Sequence, residues 1–371
     1  MCFTVANGYY FRLMYYFSTM MIILLCVLYF CVSRIITLDP FACLLVFGVF
    51  YELIISYFNQ LFIAPIILVD IITWPFLLAT FYDYSKRNSL PKSFNHISVI
   101  GMSLVCLLSA FLIMVFYSTR NGAAIFATFY CMSFLPMILL TGSSHVQLFY
   151  CAVVSVLMLL SLKRSAFLIV LLGLFAYYIA LVKNQTSYRR KLRKACLLLI
   201  LIIAAFFLGQ YIINKMGLNI IQRFSSSMED GGSGRTRIWE QVLWYFNNSS
   251  NREKWLGHGF HAVFYEIMPL GISRYAHNSF LETLYDYGYI GLFYIISIVL
   301  KVIYNTVKML RYKEENAPLM AYSVIPMIIL GSVSYFFEQG VIIVPMCVAW
   351  GLCLGSFSDK IKKQEYMLKN Y

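Results

Sequence analysis

The sequence predicts an all-α, polytopic bundle of transmembrane helices, and three observations carry this prediction. The chain is 61% hydrophobic and only 12% charged, whereas soluble domains have about 25% charged residues. Apolar runs of roughly 18 residues or more recur along it, and a helix of that length crosses the hydrocarbon core of a bilayer. These runs are continuous rather than alternating, so they exclude a transmembrane β-barrel.

Hydropathy along the chain predicts about eleven spans, within a range of roughly ten to twelve. The predicted spans are 15–36, 40–58, 61–82, 96–117, 123–141, 146–162, 165–183, 194–213, 280–306, 317–337 and 340–358. They divide the chain into N-terminal transmembrane helices over 1–213, a polar loop over 214–279, and C-terminal transmembrane helices with a tail over 280–371. The loop is the only long segment of polar composition, so we expect the functional chemistry there.

The formal net charge of +13 would favour a nucleic-acid partner in a soluble protein. In a membrane chain the positive-inside rule explains it, and we expect no nucleic-acid partner. The Lys- and Arg-rich segments are predicted to face the cytoplasm: 83–95, 183–194, 307–316 and the tail after 358. Counting spans from them places the loop on the opposite face, together with the connectors at Arg164 and Glu338.

The cysteines give no sign of a disulfide framework or a metal site. Ten are present, almost all inside the apolar runs, and no CxxC pair occurs. They are therefore interpreted as small apolar side chains. The chain also has no Walker loop, no HExxH and no Asp-rich cluster, so we expect neither a metal nor a cofactor.

The polar loop is predicted to contain one helix between irregular segments. SSSMEDGGSG (225–234) has the composition of a flexible hinge, and RTRIWEQVLWYF (235–246) predicts a helix capped by Ser233. Apolar residues recur every four positions along one face of that helix: Ile238, Val242 and Phe246. This face suits either the lipid interface or packing on the bundle. NNSSNREK (247–254) is predicted to be a turn.

At the end of the loop, polar residues run directly into an apolar span. His277 therefore lies at the start of a helix, with Asn278 or Ser279 as its cap. Glu282 and Asp286 lie four residues apart on one face of the first turns, where carboxylates favour the helix dipole.

The basic residues on the loop side suit a phosphate-bearing substrate. Arg235 and Arg237 follow a glycine-rich segment, and Arg164 lies on the same face; arginine binds phosphate bidentately. His277 has the chemistry to take a proton from an attacking hydroxyl. Together they predict a transferase acting on a lipid-diphosphate donor. Simpler roles stay open at this point, because an interfacial arginine, arginines paired with nearby acids and a solvated histidine fit the same positions.

Four strings in the chain resemble the shared domain of bacterial O-antigen ligases and O-antigen polymerases. They are SLKRSAFL (161–168), SGR (233–235) followed by Trp239, GHGF (257–260) and HNSFLETLYDYGYIGL (277–292). The resemblance implies a polytopic enzyme of the bacterial inner membrane with a long periplasmic loop. It also implies an inverting, metal-independent glycosyltransferase that takes its glycan from an undecaprenyl-diphosphate donor.

The resemblance implies roles for the four site residues. Arg164 and Arg235 would bind the donor diphosphate, Arg237 would be a second phosphate contact, and His277 would activate the acceptor hydroxyl. The implied partners are the carrier-linked glycan, membrane lipid and other polysaccharide-assembly membrane proteins such as a chain-length regulator.

Three functions are compatible with this pattern. The short chain, with its N-terminal half rich in Tyr, Phe and Cys, favours a polymerase whose acceptor is another carrier-linked repeat unit. The alternative is a ligase that transfers the same glycan to lipid A–core. A flippase or transporter would use ionisable residues at the bilayer midplane, for which Glu52 and Asp70 are candidates, but the chain shows no internal repeat.

Overall fold

The computed structural model describes residues 2–33, 39–59, 65–118, 128–161, 164–184, 235–267, 275–369 and isolated positions between 189 and 211. Over these residues the chain is all-helical, which confirms the predicted fold class. Before the loop lie α1 (Cys2–Ser33), α2 (Pro40–Phe58), α3 (Pro65–Arg87), α4 (Lys92–Ser118), α5 (Thr128–Thr141), α6 (Ser144–Leu160) and α7 (Arg164–Asn184). In and after the loop lie α8 (Arg235–Asn248), α9 (Asn251–Leu256), a π-helical turn (Val263–Ile267), α10 (Ser279–Arg311), α11 (Ala317–Val333) and α12 (Gly340–Lys369).

Five described helices are long and apolar enough to cross a membrane, and shorter apolar helices accompany them. The long spans are Tyr16–Ser33, Pro40–Phe58, Lys92–Val115, Ser279–Arg311 and Ile342–Ile361. The shorter ones are Thr128–Thr141, Ser144–Leu160, Leu168–Asn184 and Ala317–Val333. The chain is therefore an integral membrane protein of the polytopic helical type, as predicted. The predicted span 194–213 lies mostly outside the described residues, and the division into three regions stays a prediction.

Helix α12 forms the centre of the bundle. Its span is 72% buried, against 39% or less for the other four long spans, and it packs along α3. Trp350 is fully buried on α12, donates from Nε1 to Ser323 Oγ of α11 at 2.8 Å, and contacts the ring of Phe336. The connector 334–339 between α11 and α12 is therefore fixed at one end of the core.

Helices α7 and α11 pack against each other in an antiparallel arrangement. A Cβ at Gly173 in α7 would lie 3.1 Å from the ring of Tyr322 in α11. Asn184, at the end of α7, donates to the carbonyl of Glu314, just before α11 begins. Contacts at later positions of α7 are therefore made with earlier positions of α11. The same register brings Arg164, the first residue of α7, to the level at which α11 ends.

A break in α10 joins the loop to the bundle. Gly288 has φ 64° and ψ −165°, so the helix is interrupted there and the first turns lie at an angle to the rest. The hydroxyl of Tyr51 in α2 lies 2.9 Å from the carbonyl oxygen of Leu256 and 2.8 Å from that of Tyr287. One side chain therefore ties α2, the end of α9 and the break in α10 together.

The secondary structure of the loop agrees with the prediction at one point and differs at another. The helix expected over 235–246 is confirmed as α8, whereas the expected turn over 247–254 was wrong because α9 begins at Asn251. Ser250 Oγ accepts from Glu253 N at 3.3 Å, and Glu253 Oε2 accepts from Ser250 N at 2.8 Å. This capping box supplies partners for the free N–H groups of a short helix. The predicted hinge 225–234 and the Ser233 cap lie outside the described residues.

Candidate active site

Helix α8 buries one face against the rest of the loop. Val242 and Phe246 are 2% and 3% exposed and pack with Val263 and Tyr285. On the other side of α8, Trp244 is 60% exposed. Of the two roles considered for the apolar face, packing is the one observed for these two residues.

The indole of Trp239 ties α8 to the segment that carries His277. Its Nε1 donates to the carbonyl of Ala276 at 2.9 Å. Arg235 lies one turn earlier on α8, and side chains four residues apart share a face of a helix. Arg235 is therefore on the side of α8 that faces the segment around His277.

His277 lies at the junction between the loop and α10. Its backbone is left-handed, with φ 53°, and its ring centroid is 4.8 Å from that of Tyr335. The predicted cap is confirmed: Asn278 Oδ1 accepts from Phe280 N at 3.0 Å and from Leu281 N at 3.1 Å. The first helical residue, Ser279, thus follows His277 by two positions, and His277 lies at the N-terminal end of α10.

Tyr335, in the connector 334–339, is related to two of the four predicted site residues, His277 by ring contact and Arg235 electrostatically. Burial raises the pKa of the Tyr335 hydroxyl far above its usual value, and the carboxyls of Glu282 and Glu338 raise it further. The Arg235 guanidinium acts in the opposite direction, so it lies within electrostatic range of the Tyr335 hydroxyl. Arg235 and His277, far apart in sequence, are brought together around this tyrosine.

The other two predicted arginines are less closely joined to this group. Arg237 is exposed on α8, two residues beyond Arg235 and so on a different face of the helix. The side chain of Arg164 lies outside the described residues. Its backbone starts α7 at the level of the end of α11, directly before Tyr335. The phosphate-binding roles of Arg164, Arg235 and Arg237 stay predictions.

The loop contains two further histidines, and His258 has a structural place. Its Nε2 lies 2.9 Å from Ser249 Oγ, and its Nδ1 lies 3.1 Å from Glu266 Oε2. Its ring stacks on Tyr285 with centroids 4.3 Å apart. With both ring nitrogens engaged and one face covered, His258 has no free nitrogen to offer a substrate in this arrangement.

His261 is connected to His277 through a row of contacting aromatic rings. Its ring stacks on Phe260 at 3.9 Å and contacts Tyr275 at 5.4 Å, and Tyr275 in turn contacts Tyr335 at 5.2 Å. Burial lowers the pKa of His261 to about 4. His261 is therefore a neutral member of the row at neutral pH.

Beneath the site, buried carboxylates bind the loop backbone. Glu282 Oε2 accepts from Ala276 N at 2.9 Å. Asp286, one turn later, accepts from His261 N at 2.8 Å and from Val263 N at 3.2 Å. These acids hold two separate loop segments against one helix face, a role that sequence reasoning did not anticipate, while their interaction with the helix dipole stays a prediction.

A third carboxylate comes from the connector after α11. Glu338 Oε2 accepts from Ser279 Oγ at 2.5 Å, and Phe336 N donates to the same Ser279 Oγ at 2.9 Å. Burial raises the pKa of Glu338 to about 7. Glu338 lines a cavity of about 30 Å³ together with Glu52 and Asp286. Within the described part of the chain, no three acid, His or Cys side chains are arranged to hold a metal ion.

Sequence reasoning did not single out Tyr275 or Tyr335. Both lie in irregular segments with no helical or strand periodicity, so no pattern marks them. The string SYFFE (334–338) held one indication, because aromatic residues directly before an acid in a short connector suit a buried junction more than a solvated turn.

The fold and the site define a polytopic membrane protein in which the described part of the loop places Arg235 and His277 near the start of a spanning helix. Residues 149–296 match the family model described as O-antigen ligase. This confirms the resemblance to the O-antigen ligase and polymerase family, and the matched range includes all four predicted site residues. The domain supports a role in O-antigen assembly with a glycosyltransferase-like ligase or polymerase activity. No curated protein matches the chain.

Proposed function

We propose that the chain transfers a glycan from an undecaprenyl-diphosphate donor to an acceptor hydroxyl, at the periplasmic face of the bacterial inner membrane. The reaction is inverting and uses no metal. The observation that supports this proposal is that Tyr335 contacts the ring of His277 and lies within electrostatic range of Arg235, at the start of a membrane-spanning helix. A cation for phosphate and a base for a hydroxyl are the two groups that such a transfer needs.

The proposed chemistry is a single displacement. His277 removes the proton from the acceptor hydroxyl while the oxygen attacks the anomeric carbon of the donor. The bond from that carbon to the diphosphate oxygen breaks, so configuration inverts and the carrier diphosphate leaves. Arg235 and Arg164 bind the diphosphate and stabilise the negative charge that builds up on it, with Arg237 as a further contact. The proton stays on His277 until it passes to solvent.

The location of the site at a membrane surface suits a lipid-linked donor. Its polar head would meet the arginines while its polyprenyl chain stays in the bilayer. Membrane lipid is then a constant neighbour, and other polysaccharide-assembly proteins, such as a chain-length regulator, are candidate partners. The O-antigen ligase domain favours this transfer over transport.

For the acceptor we propose another carrier-linked repeat unit, which makes the protein an O-antigen polymerase. The alternative is an O-antigen ligase, whose acceptor is lipid A–core; the description of the matching family favours it. The acceptor can be identified by deleting the gene and separating the surface lipopolysaccharide on a gel. Loss of a polymerase leaves single repeats on the core, whereas loss of a ligase leaves bare core and carrier-linked polymer.

The role of the base is tested in the same deletion strain. We expect His277→Ala to insert normally and to restore no glycan transfer. The matched control is His145→Ala, because His145 is exposed on α6 and takes no part in the site. Full transfer by His277→Ala at normal membrane abundance would contradict the base assignment.

A further inference from the structure

We propose that Glu282, Trp239 and Glu338 are positioning residues that fix the backbone on both sides of His277 and so aim its imidazole. This inference rests on the proposed role of His277 and adds residues that act through it without touching the substrate. It concerns the contacts of positions 276 and 279, which flank His277 and its cap.

The residue before His277 is held at both of its peptide groups. Ala276 N donates to Glu282 Oε2 at 2.9 Å, and Ala276 O accepts from Trp239 Nε1 at 2.9 Å. Ala276 is fully buried and Glu282 is 1% exposed, so water does not compete for these bonds. The two contacts come from α10 and α8 and fix Ala276 from different elements.

The chain after His277 is held just as tightly. Asn278 caps α10, and the next residue, Ser279, is fully buried. Ser279 Oγ donates to Glu338 and accepts from Phe336 N, which joins the start of α10 to the connector that carries Tyr335. Glu338 thus links Ser279, two residues after His277, to the connector that carries the ring contacted by the imidazole.

The conformation of His277 shows why such support is needed. A residue with a Cβ rarely adopts a left-handed backbone, and strained residues persist where the surroundings determine them. Its φ of 53° points the side chain in a direction that a relaxed extended backbone would not give. Fixed contacts at positions 276 and 279 keep the short segment between them from relaxing.

Stability alone does not account for the carboxylates. Burying an acid costs free energy, and apolar side chains of similar size often stabilise a core at least as well. Glu282 Oε1 and Glu338 Oε1 are buried without a hydrogen-bond partner among the described residues. What these acids supply, and an apolar side chain does not, is an acceptor directed at the residues that flank His277 and Asn278.

The first test compares two tryptophans of α8. Trp239→Phe keeps an aromatic ring and removes the N–H that binds Ala276 O, while Trp244→Phe changes an exposed residue of the same helix. We expect Trp239→Phe to lower kcat on the order of tenfold, because small misplacements of a catalytic group are costly. The KM for the lipid-linked donor should not change, because the arginines still bind the diphosphate. Trp244→Phe should leave both constants as in the wild type.

The second test uses the acid. Glu282→Gln keeps an oxygen that accepts from Ala276 N and should retain most of the kcat, whereas Glu282→Leu keeps the volume, removes the acceptor and should lose on the order of tenfold or more. Glu52→Leu is the matched control, since Glu52 is a buried acid on the cavity that Glu338 lines, and its side chain makes no hydrogen bond to the described residues 276–279. Equal losses in the Glu282 and Glu52 leucine variants, or unchanged kcat in both Trp239→Phe and Glu282→Leu, would overturn the positioning role.

A readout independent of transfer separates this inference from the proposed function. The rate at which diethyl pyrocarbonate modifies His277 is measured by mass spectrometry of the purified protein. A loosened segment exposes the imidazole, so we expect several-fold faster modification in Trp239→Phe and Glu282→Leu and the wild-type rate in Trp244→Phe. Unchanged rates in both test variants refute the positioning role even if transfer is observed. Faster rates support it even if the wild type transfers no glycan, an outcome that refutes only the proposed function.

Discussion

Substituting Gly257 by alanine should break the contact between the segment 257–259 of the loop and the first turns of α10. Gly257 has φ 83°, and a Cβ there would overlap the carbonyl oxygen of Asp286 and the Cα of Tyr287. A left-handed backbone costs about 1–2 kcal/mol for a residue with a Cβ, and overpacking adds about 1–3 kcal/mol. The clash is with backbone, which cannot rotate away, so the total is about 2–5 kcal/mol. The chain would relieve it by moving α9 away and losing the bond from Gly259 N to Asp286 O, now 2.7 Å.

The assay for this prediction is thermal unfolding of the purified protein in detergent, together with glycan transfer in the deletion strain. We expect Gly257→Ala to lower the unfolding midpoint by roughly 3–6 °C and to abolish most transfer. Gly288→Ala should behave alike, because its Cβ would lie 2.5 Å from the carbonyl carbon and oxygen of Trp255. Gly173→Ala is the control: it lies within α7 and would meet only side chains, at 3.1 Å or more. An unchanged midpoint in Gly257→Ala would refute the backbone contact.

Three further predictions follow from single residues. Arg235→Lys should reduce glycan transfer on the order of 10-fold or more, since an ammonium cannot bind diphosphate bidentately. The matched control is Arg252→Lys, an exposed arginine of α9 outside the site, and equal transfer by the two variants would contradict this prediction. Asn278→Ala should lower the free energy of unfolding by about 1 kcal/mol through loss of the cap, which denaturant titration would detect. Burial lowers the pKa of His261 from 6.5 to about 4. Between these two pH values the unfolded state therefore binds more protons than the folded state. The free energy of unfolding falls as the pH drops through this window, by at most about 3 kcal/mol. His261→Asn should flatten the fall in unfolding midpoint between pH 6.5 and 4, and an equally steep fall in that variant would exclude His261 as its cause.

The parts of the molecule governed by local rules were predictable from sequence. The apolar runs predicted the polytopic helical class, because length and continuity decide whether a helix suits a bilayer. The four-residue spacing of Val242 and Phe246 predicted α8 and its apolar face, and the structure decided that this face packs on the protein. The position of Asn278 and Ser279 before an apolar run predicted a cap at one of these two residues, and the structure shows that it is Asn278.

The parts that depend on long-range contacts were not predictable in this way. Helix α9 is six residues long, too short for an apolar period, and its Ser250 and Glu253 capping box lay inside a segment judged by its polar composition. Tyr335 reaches the site only because α11 and α12 pack at the bundle centre. The hydrogen bond from Ala276 N to Glu282 could not be predicted, because the sequence does not show where the loop packs against α10.

The pair Glu282 and Asp286 explains how an irregular loop can keep a defined geometry. The two acids lie one turn apart on α10, and each accepts backbone N–H groups from a different loop segment, one ending at His277 and the other containing His261. The spacing of these segments is therefore set by the rise of a helix rather than by the loop itself. The break at Gly288 then sets this short helical platform at an angle to the spanning part of α10. The geometry of the described loop segments is therefore determined by anchors that lie on a helix.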